Sequence, residues 1–182
     1  MKEIKTKRGD KKFFRISIIG FVISVILAFF IELKIMIVIL LLVLLTSGIF
    51  IYKNKIGQEL IIAFLIAMAL TSYYLYQYTT FNLFLGKINL FPLVSWTFGL
   101  VLLREIYERM NFKYKFLFIS LLYWIVLFSL EYIFYYGFGV KWDTNFPSLF
   151  NLGIIHGPIG IKVFYLLGGP VYLLITDYLK VE

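Results

Sequence analysis

The stretch Phe116–Tyr136, FLFISLLYWIVLFSLEYIFYY, carries a single charge, Glu131, in 21 residues. At about 1.5 Å per residue, such a run makes a helix long enough to cross the roughly 30 Å hydrocarbon core of a bilayer. A β-barrel strand would alternate apolar and polar residues over about ten positions. This run does not alternate, so it predicts a membrane-spanning helix. Five more runs read the same way: Phe13–Ile31, Ile35–Tyr52, Leu60–Tyr76, Ile88–Leu103 and Val163–Leu179. The first follows a basic tail, but it is longer than a signal-peptide core and no small-residue cleavage site follows it.

Composition agrees. The 182 residues are 62% hydrophobic and 15% charged, with mean hydropathy +0.90. Soluble domains run nearer about 45–50% apolar and about 25% charged. The chain is therefore expected to be an all-α polytopic membrane protein of six helices forming a single membrane domain. Within it, 1–12 reads as a basic tail, 13–52 as a peripheral two-helix hairpin, and 58–182 as a four-helix bundle with an outer loop at 137–161. With no Cys, disulfides, thiolate metal sites and Cys nucleophiles are excluded.

Orientation follows from the basic residues. Lys2, Lys5, Lys7, Arg8, Lys11, Lys12, Arg15, Lys53, Lys55, Arg104, Arg109, Lys113, Lys115 and Lys180 fall on one side, and Lys34, Lys87, Lys141 and Lys162 on the other. The rich side is expected to be cytoplasmic, which places both termini inside. The net charge of +8 does not indicate nucleic acid, because these residues hug the ends of apolar runs instead of forming a continuous basic face. The bilayer and its anionic headgroups are the expected partner. Arg104 with Glu108 and Glu105 with Arg109, each at i, i+4, suit a solvated helix extension. Asp177 reads as a solvated interfacial residue.

Polar groups gather on the outer side. The third and fifth runs end in tyrosine-rich sequence, Tyr73-Tyr74-Leu75-Tyr76-Gln77-Tyr78 and Glu131-Tyr132-Ile133-Phe134-Tyr135-Tyr136. An aromatic belt at headgroup level accounts for most of these rings. It does not account for Glu131, about 7–8 Å below the outer end of its helix at 1.5 Å per residue. An acid at that depth must face the bundle or a wet cavity and find a partner. It shares a helical stripe with Ser120, Trp124, Leu127 and Tyr135. Lys162 and the hydroxyls of Tyr73 and Tyr76 are the expected partners.

The outer segment from Gly137 to Gly160 contains Asp143 and the only histidine, His156, in a turn before Gly157-Pro158. Loops of this length are commonly functional or disordered, and this one is too apolar for disorder. It is expected to fold back as a lid, with a short interfacial or re-entrant helix within Ser148–Ile155. Asn89, Pro92, Trp96 and Gly99 share a face of the fourth run, and Gly168-Gly169-Pro170 is expected to interrupt the sixth. The candidate ligand-binding residues are thus Glu131, Tyr135, Tyr73, Gln77, Trp96, Trp124, Asp143, His156 and Lys162.

No zinc-protease HExxH, paired-aspartate run, nucleophile elbow or P-loop occurs. One histidine with scattered carboxylates is a poor zinc set, so no metal, cofactor or catalytic constellation is expected. The leading expectation is binding or translocation of a small amphipathic or lipid-like molecule through an aromatic pocket around Glu131. Two alternatives differ in kind. One is an intramembrane enzyme acting on a lipid or isoprenoid, with Glu131 or Asp143 as acid/base and His156 assisting. The other is a non-catalytic subunit of a larger membrane complex.

Overall fold

Each apolar run becomes a helix. α1 (Arg8–Leu27), α2 (Lys34–Tyr52), α3 (Asn54–Tyr74), α4 (Leu90–Arg109), α5 (Lys115–Tyr132) and α6 (Ile159–Tyr178) account for most of the chain. A π turn (Ile133–Gly137) extends α5, and a 3-10 turn (Leu149–Asn151) precedes α6. This computed structural model describes residues 8–27, 29, 34–52, 54–74, 77–78, 82–142 and 145–179. The side chains of 8–13, 34, 36, 47–52, 54–57 and 72–74 fall outside that description. Three helices, Leu90–Arg109, Lys115–Gly137 and Ile159–Tyr178, are long and apolar enough to cross a membrane, which fits an integral membrane protein.

α4 is the central helix. Of its apolar window 72% is buried, against 39% for α6 and 11% for α5 with its π turn. Phe98, Leu100, Val101 and Leu103 of α4 pack with Ile37, Val38, Leu41, Leu44 and Leu45 of α2, Ala63 of α3, and Tyr172 and Leu173 of α6. α2 thus buries one face in the core, while Ile35, Ile39, Leu42 and Val43 stay exposed on the other. Its run is aliphatic on every side, so periodicity could not reveal the face it buries. α1 packs on α2 through a stripe of small residues, Ser17, Gly20 and Ser24, at i, i+3 and i+7. Such residues allow close backbone approach. α5 is the most exposed of the three long apolar helices, and only its Ile119 and Ser120 are buried.

α4 begins two residues later than its apolar run because a hairpin takes Ile88 and Asn89. β1 (Phe84–Leu85) pairs antiparallel with β2 (Ile88–Asn89) across Gly86-Lys87. Gly86 has the positive φ, 61°, that a tight hairpin needs at its first central residue. The fully buried Asn89 then caps α4, its Oδ1 accepting from Phe91 N at 3.2 Å and Leu83 N at 3.3 Å. Its Nδ2 donates to Asn82 Oδ1 at 3.0 Å. This loop meets the segment before α6 through a backbone bridge between Tyr78 and Trp142, whose rings lie 5.5 Å apart.

α6 runs unbroken through Pro170, contrary to the expected interruption. Proline has no N–H to give the carbonyl four residues back, Leu166, and its ring crowds that carbonyl. Trp124 of α5 supplies the missing donor, its Nε1 reaching Leu166 O at 2.8 Å. Tyr123 OH donates to Tyr165 O at 2.9 Å. Its ring lies so close to Gly169 that a Cβ there would meet ring carbons at 2.8 Å. The Gly-Gly-Pro sequence is therefore the seat of α5 on α6.

Candidate functional site

Two polar clusters lie at opposite ends of the bundle. At the basic end, Arg104 of α4 is only 6% exposed at its side chain. Its Nε is 3.1 Å from Glu108 Oε1 and 3.6 Å from Glu59 Oε1 of α3, and Nη1 binds Asp177 Oδ1 of α6. Tyr107 OH donates to Asp177 Oδ2 at 2.7 Å, and the buried Tyr172 OH donates to the backbone carbonyl of Glu59 at 3.3 Å. Glu105 and Arg109 pair at 3.1 Å. The i, i+4 pairs expected on α4 do form, but they are not a solvated extension, since Arg104 and Glu105 are buried. Asp177, with a half-buried side chain, is tied to Arg104. One guanidinium thereby joins α3, α4 and α6, with the carboxylates graded from 43% exposed at Asp177 to 0% at Glu59. Sequence reasoning missed Glu59 entirely. The one available signal was an acid at the start of an apolar run.

The second cluster sits at the loop end and contains the residues singled out from sequence. Glu131 is 16% and His156 12% exposed at the side chain. The backbone N–H of His156 donates to Glu131 Oε1 at 3.2 Å, and His156 Nδ1 lies 4.0 Å from the same oxygen. The imidazole stacks on Tyr135, with ring centres 3.7 Å apart and planes 10° from parallel. His156 Nδ1 is buried with no hydrogen-bond partner among the described residues. Burial holds the imidazole below its ordinary pKa, and the nearby ammonium groups of Lys162 and Lys141 push it the same way.

The backbone is bent to make this contact. Ile155 is fully buried and has φ 51°, a left-handed conformation that β-branched residues seldom adopt. It packs with Leu70, Ile161 and Tyr165, and the next amide is thereby turned onto Glu131. Strain of this kind persists only where the surroundings enforce it, and it concentrates at functional sites. The π turn that follows Glu131 is another such irregularity. Only a short 3-10 turn forms within the expected interfacial helix, at Leu149–Asn151.

The other candidates are distributed. Lys162 reaches Ser148 O at 3.5 Å and acts on His156 through space, so the expected Glu131–Lys162 pair gives way to Glu131–His156. Trp124 supports Pro170, two turns below Glu131 on α5. Trp96 packs against Phe164 and Tyr165, with ring centres at 4.8 and 5.2 Å. Gln77 is exposed and lines a concavity of about 310 Å³ with Phe84, Gly86 and Lys87. A groove of about 540 Å³, lined only by apolar residues and glycine, runs between α3 and α6 from Gly160 to Ile175. Neither concavity is lined by Glu131. The side chain of Tyr73, and Tyr76 and Asp143 altogether, lie outside the described residues.

Chemically, a carboxylate beside an imidazole can hold or pass a proton and can orient a polar group, while Tyr135 stacks on the imidazole. No family model, curated protein or solved structure matches this chain, so the reading of this site rests on its geometry.

Proposed function

We propose that the chain is a six-span membrane protein, resident in the cell membrane with both termini cytoplasmic, that binds or translocates a small amphipathic or lipid-like molecule at its outer end. α1, α2 and α3 carry shorter described apolar stretches, Phe14–Leu27, Ile37–Thr46 and Gln58–Thr71, and these serve as the other three spans. The bias of fourteen basic residues against four puts the Arg104 end in the cytoplasm.

The observation that carries the ligand reading is the enclosure of Glu131. The acid is largely buried, with 16% of its side chain exposed, and it accepts a hydrogen bond from the His156 amide of the outer segment. Such a carboxylate orients the polar end of a ligand, and Tyr135 with the neighbouring rings holds its apolar body. The test is mass spectrometry of molecules retained by the purified chain. Wild type is expected to retain an amphiphile that Glu131→Gln loses while keeping its fold and membrane insertion. Identical retention by both overturns the reading.

A second reading, an intramembrane enzyme acting on a lipid or isoprenoid, is favoured by one observation. Glu131 and His156 set an acid and an imidazole 4.0 Å apart, within reach of one bridging polar group. Under it, His156→Gln abolishes turnover of the retained molecule without releasing it. Under the binding reading, no turnover exists to abolish.

A further inference from the structure

The segment that covers Glu131 exposes the wrong residues for a loop in water. Phe150 is 80% exposed, Leu152 67% and Ile159 80%. Phe150 and Asn151 both have left-handed backbones, φ 47° and 59°, so the chain accepts strain at the point where it turns the Phe150 ring outward. The segment is not loose. Leu149 N donates to Ile154 O at 2.8 Å, Gly153 N donates to Ser148 Oγ at 3.0 Å, and the neighbouring Ile155 is fully buried.

The same segment is continuous with the apolar face of α5. Tyr136 OH donates to Gly153 O at 3.1 Å, which sets Gly153 beside a tyrosine that is itself exposed and packed on the exposed Tyr132. Below them Ile133, Val126, Ile125 and Leu121 continue the exposed surface down a helix long enough to span a membrane. Ile159 likewise opens the exposed row Ile159, Val163 and Leu167 on α6. Tyrosines at such a boundary mark headgroup depth.

We propose that residues 149–159 dip into the outer leaflet, with Phe150, Leu152 and Ile159 among the acyl chains, as a lid embedded in lipid. Because the lid also carries His156, its seat in the bilayer and its bond to Glu131 are parts of one rigid turn. A ligand then reaches Glu131 from the leaflet, not from water, and it is a membrane-dissolved amphiphile. This deepens the ligand reading above and rests on it for that last step.

The absence of cysteine makes the test direct. Phe150→Cys, Leu152→Cys, Ile159→Cys and, as a control on an exposed polar site of the same loop, Asn145→Cys are labelled with a nitroxide. The full chain is placed in vesicles of phosphatidylcholine and phosphatidylglycerol. Accessibility to oxygen relative to a water-soluble nickel chelate is expected to be several-fold higher at 150, 152 and 159 than at 145. Equal ratios at all four sites overturn the proposal. A second arm uses the wild-type chain, so a variant that fails to fold cannot obscure the answer. A phosphatidylcholine with a photoreactive group high on its acyl chain is expected to label 149–159, and no adduct there overturns the proposal. Both arms read the position of the lid alone. A lid in water with ligand still lost in Glu131→Gln refutes the leaflet route; a lid in lipid with ligand retained refutes the ligand site.

Discussion

Replacing Arg104 with methionine removes the charge on which three helices converge. The side chain is 6% exposed and Glu59, 3.6 Å from its Nε, is 0% exposed. Removing one partner of a buried ion pair costs about 3–5 kcal/mol, because the remaining charge keeps its desolvation penalty. For a chain of this size each kcal/mol moves the melting temperature by about 2–4 °C, so Arg104→Met is expected to lower it by about 6–20 °C. Asp177→Asn is the internal control. Its side chain is 43% exposed, and pairs of that kind are worth about 0–1 kcal/mol. Adding Glu59→Gln to Arg104→Met removes the stranded carboxylate and is expected to recover part of the loss. The assay is thermal unfolding of detergent-purified protein followed by tryptophan fluorescence. A shift for Arg104→Met no larger than that for Asp177→Asn refutes the buried-junction reasoning.

Further substitutions probe the seat of α5 and the pH response. Trp124→Phe leaves the carbonyl freed by Pro170 without its donor and is expected to cost about 1–3 kcal/mol, read in the same melting assay. Gly169→Ala drives a methyl group into the Tyr123 ring and is expected to cost about 1–3 kcal/mol; a neutral result would mean the two helices are not in close contact. His156 is held below its ordinary value of about 6.5, so between its folded and unfolded values the unfolded chain binds more protons. The His156 contribution to stability is therefore complete above about pH 6.5 and is lost as acidification carries the solution toward the lower, folded value. Among the described residues, Glu131, Tyr135, Tyr136, Lys141 and Lys162 are the titratable groups around it. His156→Gln is expected to flatten this slope, and an unchanged slope assigns it to another group.

Run length located the helices, because long apolar runs have few other solutions in a bilayer. It also singled out Glu131 and His156 for a physical reason: an acid within a span and a lone histidine in a long loop both demand partners. It could not pair them, since 25 residues separate them and the contact runs through the His156 amide, which side-chain chemistry does not advertise. The Arg104 junction was hidden for a similar reason. Its i, i+4 partner Glu108 is visible along one helix, whereas Asp177 lies 73 residues away. The expected break at Pro170 failed because a donor from α5 replaces the missing amide.

The closure of the outer segment over Glu131 is tested most directly at the amide of His156. Hydrogen exchange is measured by NMR on the chain in nanodiscs, for wild type and Glu131→Ala. Bonded to a largely buried carboxylate, this amide is expected to exchange slowly in wild type. In the variant it should exchange at least about tenfold faster, the factor that about 1.4 kcal/mol of lost protection carries. Exchange in wild type as fast as at the exposed Asn145 would contradict the account.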